Sequence, residues 1–112
     1  MKLAVIGSRN VSVKNIGDYL PEGVDEIVSG GAKGADLAAA QYAREHGIPL
    51  TEFLPDYRRY GRAAPLIRNE EIAEYADAVL AFWDGQSKGT MDTVRRFRGK
   101  DKPVTVKEGA VF

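Results

Sequence analysis

Glu26-Ile27-Val28-Ser29-Gly30-Gly31-Ala32-Lys33-Gly34-Ala35-Asp36-Leu37-Ala38-Ala39-Ala40 decides the fold. An apolar run of strand length, Glu26 to Ser29, stops at a glycine-bearing turn, and a helix-compatible stretch, Lys33 to His46, follows at once. Within that stretch Ala35, Ala38, Ala39, Tyr42 and Ala43 form a mostly small-residue face suited to close packing on a sheet, and Gly47 supplies a C-terminal stop. The same order of apolar run, glycine turn and helix recurs at Gly7-Ser8-Arg9 and at Asp84-Gly85-Gln86-Ser87-Lys88-Gly89-Thr90.

Working outward, Leu3 to Ile6, Pro49 to Leu54, Ala78 to Trp83 and Pro103 to Val106 are further short apolar runs bounded by turn residues. Ser12 to Leu20, Pro65 to Tyr75 and Lys88 to Arg98 are further helix candidates, the second opening on a proline suited to a first helical position. Alternation of this kind predicts an α/β fold over residues 1–112 as one domain. Its core is a doubly wound sheet of about five parallel strands with helices on both faces. Lys107 to Phe112 is read as an edge extension or a frayed tail.

Composition narrows the function. With 112 residues and 44% hydrophobic content, the chain suits one domain burying roughly two-thirds of its unfolded surface. Basic and acidic side chains each number 16, so no global field draws the chain to nucleic acid, and any anion affinity is local. There is no cysteine, which removes disulfides, zinc–thiolate sites and thiol nucleophiles. The N-terminal apolar run is too short for a signal peptide or a membrane span, so a soluble, cytoplasmic protein is expected. His46 is the one histidine and sits near a helix end, where a cation is favourable, so no metal site is expected.

In an open parallel sheet, turns leaving the carboxyl ends of neighbouring strands lie side by side, and their N–H groups and helix N-termini suit an anion. One glycine turn is weak grounds for a site, since glycine often serves only a tight bend; three together are stronger. Neither G-x-G-x-x-G nor G-x-x-x-x-G-K-[ST] is present, which weakens dinucleotide dehydrogenase and P-loop hydrolase readings.

Gly7-Ser8-Arg9, the Ser29-to-Asp36 turn, Pro55-Asp56-Tyr57 with Gly61, Arg68-Asn69, and Ala76-Asp77 running into Gly85 to Thr90 together resemble the SLOG superfamily. The subgroup resembled is the YspA/cpYpsA-related group, also known as DUF2493. The resemblance runs over residues 2 to 106. It implies a Rossmann-like fold that binds nucleotides or nucleotide-derived ligands, distantly similar to the LOG phosphoribohydrolases and the DNA-processing protein DprA. It supplies no reaction.

Combined with physical chemistry, the resemblance gives candidate ligand-binding residues. Gly7 and Ser8 of the first turn are candidates, and Gly30, Gly31 and Gly34 allow close backbone approach, with Ser29 and Lys33 adding a hydroxyl and a cation. Lys33 is equally at home as a solvated side chain. Asp36 either complements the helix dipole or accepts from ribose hydroxyls. Arg9 and Arg68 are the foremost cations, Arg68 being expected in a first helical turn and otherwise pairing with Glu70 or Glu71. Asn69 binds ligand or caps a loop. Gly85, Gly89 and Thr90 are read as phosphate contacts.

No catalytic residue is assigned. The comparable LOG loop reads P-G-G-x-G-T-x-x-E, whereas here Thr93 stands at the glutamate position, and threonine cannot supply the carboxylate that glycosidic cleavage needs. Asp92 is adjacent but turned by about 100 degrees on a helix. The segment from Leu54 to Pro65 mixes aromatics with arginines and reads as a lid or as an exposed loop. The leading expectation is a module that binds or senses a nucleotide or nucleotide derivative as its partner, with no certain cofactor. Self-association into a homo-oligomer is left open. An N-glycosidase using Asp36, Asp84 or Asp92 and a DprA-like single-strand DNA binder are the alternatives, the latter disfavoured by zero net charge.

Overall fold

The computed structural model describes residues 1–112. Five strands, β1 (Lys2–Gly7), β2 (Glu26–Ser29), β3 (Leu50–Glu52), β4 (Ala78–Trp83) and β5 (Val104–Glu108), form one sheet in the order β3-β2-β1-β4-β5. Every pairing is parallel, as in Leu3 beside Ile27 and Val5 beside Leu80. Four helices accompany it: α1 (Ala35–Glu45), α2 (Tyr57–Tyr60), α3 (Ala64–Tyr75) and α4 (Lys88–Gly99). The Rossmann-like α/β reading therefore holds.

Strand alternation divides the core between the faces of the sheet. Leu3, Val5, Ile27, Leu80 and Phe82 point to one side, where they meet Ala35, Ala39 and Ala43 of α1. Ala4, Ile6, Val28, Val79 and Ala81 point to the other, against Ile72 and Ala73 of α3 and Val94 and Phe97 of α4. Alanines on α1 bring that helix close enough that a Cβ at Gly7 would stand 2.7 Å from Ala35 Cβ and 2.8 Å from the Phe82 carbonyl. Glycine at position 7 is thus a packing requirement.

The expected helix from Ser12 to Leu20 is not formed; only a 3-10 turn, Ile16–Tyr19, is present. The backbone there is claimed by the C-terminal residues. Ser12 N–H donates to the Ala110 carbonyl at 2.9 Å, Lys14 N–H to Phe112 at 3.0 Å, and Phe112 N–H to Ser12 at 2.8 Å. The tail is accordingly anchored, with the Phe112 ring 5.0 Å from that of Phe82. The strand expected at Pro49 to Leu54 shortens to the three residues of β3, an edge strand. The segment expected as a long connection holds α2, capped by Asp56 accepting from Arg59 N–H at 3.1 Å, and the 3-10 turn Gly61–Ala63.

From β1 the chain steps to β2 and β3 on one side and then returns to place β4 against the other side of β1. The strand order therefore reverses between β1 and β4. In open α/β sheets such a switch point opens a crevice beyond the carboxyl ends of the strands. No helix is long and apolar enough to cross a membrane.

Candidate functional site

A cavity of about 210 Å³ occupies that switch point, and each of the three glycine turns contributes to its wall. Gly7, Ser8 and Arg9 come from the end of β1, Gly30, Ala32 and Asp36 from the β2–α1 turn, and Ser87, Gly89 and Thr90 from the start of α4. The fourth side is α3, which presents Pro65, Arg68, Asn69 and Ile72, and Thr93 of α4 also lines the space. A larger groove of about 600 Å³ lies on the outer flank of α3, among Phe53, Leu66, Ile67 and Tyr75, and none of the three turns lines it.

Arg68 is the fifth residue of α3, one position further in than the expected start at Pro65 puts it. It forms no ion pair with Glu70 or Glu71. Its Nη1 donates to the Gly30 carbonyl at 2.6 Å and its Nε to Asn69 Oδ1 at 3.0 Å, leaving Nη2 without a protein partner. Asn69 then donates from Nδ2 to Asp92 Oδ2 at 3.1 Å, where Arg96 Nε also arrives at 2.8 Å. Arg9 is exposed and forms no ion pair. Two guanidinium groups in no ion pair thus border one small cavity.

α4 begins at the same place. Ser87 is its N-cap, accepting from Thr90 N–H at 3.4 Å, and the Gly89 N–H has no intramolecular acceptor. Ser8 is buried and ties this end to β1: its Oγ accepts from Asp84 N–H at 3.2 Å and lies 3.3 Å from Thr90 Oγ1. The positive end of the helix dipole reinforces the two arginines.

Asp36 is 4% exposed, and burial pushes its carboxyl up to about 6 against the lowering pull of the Gly30, Ala32 and Gly7 amides and of Arg68. Oδ2 accepts from Gly30 N–H at 2.9 Å, so this carboxylate braces the turn while standing in the cavity wall. Asp84 and Asp92 are arranged differently. The Ser87 and Gln86 amides, donating to Asp84 Oδ1 at 2.7 and 2.9 Å, hold its carboxyl below the usual range. Burial raises Asp92, yet the hydrogen bonds from Arg96 and Asn69 prevail and keep it low. Neither acid lines the cavity.

Several predicted residues stand outside that wall. Ser29 is fully buried beneath the turn, donating to the Asp36 carbonyl at 3.4 Å and accepting from Gly31 N–H at 3.2 Å. Gly31 and Lys33 face solvent. Gly34 is backed onto the Ser8 and Val11 carbonyls, and Gly85 faces Glu108. Tyr57, Arg58, Arg59, Tyr60 and Arg62 do not reach the cavity either, because that segment folds onto itself, with Arg59 over the Tyr60 ring at 5.1 Å. Ser87 and Pro65 were not anticipated. Their signals were a serine placed to cap α4 and a spacing that shares a helix face with Arg68.

Fold and cavity define an open α/β protein with a cationic crevice at the switch point of its sheet. The model of the YspA, cpYpsA-related SLOG family matches residues 17–60, which supports the resemblance read from the sequence. The matched residues include the β2–α1 turn; the other two turns lie outside them. A 64-residue segment is also 42% identical to an arginine deiminase of Mycolicibacterium gilvum, covering 57% of this chain and 15% of that protein. The chain thus spans a small part of that relative's length. No solved structure matches the chain significantly.

Proposed function

We infer that the crevice binds a phosphorylated small molecule derived from a nucleotide, and that the protein acts as a binding or sensing module. One observation carries this reading: Arg9 and Arg68, neither ion-paired, border the same cavity as the start of α4. The match to the SLOG family model over residues 17–60 is consistent with nucleotide-related binding. A phosphate would take the free Nη2 of Arg68 and the Gly89 amide, charge-assisted contacts stronger than neutral ones. Asp36 leaves a second reading, hydrolysis of a nucleotide N-glycosidic bond, because a buried carboxyl raised to about 6 in a crevice wall is suited to proton transfer. Its occupation by the Gly30 amide and the threonine at position 93 favour binding alone.

Isothermal titration with ribose 5-phosphate and with AMP tests the proposal. Saturable binding that Arg68→Ala weakens supports it. Absence of binding for both probes by a folded protein overturns it.

A further inference from the structure

The crevice, at about 210 Å³, is smaller than the usual small-molecule pocket of roughly 300 Å³ or more, and holds a phosphate and a sugar more readily than a whole nucleotide. A second cleft of about 450 Å³ abuts it, and Ser87 and Gly89 belong to the walls of both. A Cβ built on Gly89 meets no atom within 4 Å, so the passage between the two spaces is open on that side.

The second cleft has a different chemistry. Leu66 of α3, Trp83 at the end of β4 and Met91 of α4 give it an apolar wall, and Lys88, Asp92 and Arg95 line the remainder. Leu66 is 49% exposed, so its side chain is accessible to a guest in the cleft. The Trp83 indole N–H donates to the Ser87 carbonyl at 3.0 Å, so its one polar atom is committed and the ring is fixed beside the α4 N-cap. Apolar and aromatic surface next to an anion site is what a base needs once its phosphate is anchored.

We propose that the cleft formed by Leu66, Trp83 and Met91 is a nucleobase subsite, so that the ligand is a nucleoside 5′-phosphate lying across Ser87 and Gly89. This assignment rests on the anion-site reading given above. The phosphate and sugar occupy the switch-point crevice, and the base leaves it over the first turn of α4.

Titrating ribose 5-phosphate beside AMP, GMP, CMP and UMP separates the two readings. At least one nucleotide is expected to bind about tenfold more tightly than the sugar phosphate, the order of gain from seating one base. Leu66→Ser and Met91→Ala should lower that nucleotide toward the sugar phosphate and leave ribose 5-phosphate itself unchanged. Leu66 is half exposed, so its replacement leaves the core intact. Ribose 5-phosphate binding with no gain from any base, or a gain that both variants retain, overturns the subsite alone. Failure of every probe to bind overturns the anion site and the subsite together.

Discussion

Arg68 Nη1 donates to the Gly30 carbonyl at 2.6 Å, joining α3 to the turn that leaves β2. The contact holds the guanidinium at the crevice with Nη2 unspent. Arg68→Ala should therefore weaken binding of ribose 5-phosphate or AMP by roughly 1.5 to 3 kcal/mol, the range for a hydrogen bond to a charged group. Arg68→Lys keeps the charge without the fork and should recover only part of that. Titration calorimetry on variants with unchanged circular dichroism decides it; full affinity in Arg68→Ala would show that the anion lies elsewhere.

Asp36 makes anion binding depend on pH. With its carboxyl at about 6, protonation removes a negative charge from the crevice wall. Sulfate, a dianion throughout this range, should bind more tightly as pH falls through 6, and Asp36→Asn should flatten the profile. A pH-independent affinity in the wild type would refute the role.

The same group enters the stability profile with a definite sign. Its folded value, about 6, exceeds the ordinary 3.8, so the native state holds the proton more tightly. The contribution is complete below 3.8 and is lost as pH rises through 6, on the order of 3 kcal/mol at the upper limit. Urea unfolding of wild type and Asp36→Asn at several pH values should show the wild type losing ground between pH 4 and pH 7. Parallel curves would be the contrary result.

Hydrolysis is expected to be absent. Thr93 is 3% exposed and its hydroxyl donates to the Gly89 carbonyl at 3.3 Å, so no carboxylate stands at this point of the wall. Chromatography of AMP incubated with the protein should detect no adenine. If adenine appears, and Asp36→Asn abolishes it, the binding-module reading gives way to an acid-catalysed one.

Phe112 tethers the segment from Ser12 to Lys14 and meets Phe82 edge-on. The ring is partly buried, so Phe112→Ala should cost about 1 to 1.5 kcal/mol, less than the loss of a fully buried ring. Differential scanning calorimetry reads this as a lower melting temperature; an unchanged one would mean that the tail contributes nothing.

Strand–turn–helix order was legible where a short apolar run ends in glycine or serine, as β1 does at Gly7 and β2 at Ser29. Arg68 and Asn69 were legible as candidates, and both line the crevice, whereas Pro65 and Ile72, which share their helix face, were not read as part of it. Ser12 to Leu20 misled because helical propensity is local, whereas the partners of Ser12 and Lys14 lie about a hundred residues away at Ala110 and Phe112. Gly85 and Gly31 misled for another reason. A glycine after a strand states that a side chain is unwelcome without stating whether solvent, a neighbour or a ligand takes its place.

The hydrogen bond from Asn69 to Asp92, continued through Arg96 to Glu70 and through Lys100 to Glu74, latches α3 and α4 together. One jaw of the crevice is therefore set before any guest arrives. Adjustment falls to Arg9 on the opposite rim, an exposed side chain whose ordering carries an entropic cost of about 2 kcal/mol. Affinity gained by stiffening this protein would come from that rim, and selectivity for shape from the latched helices.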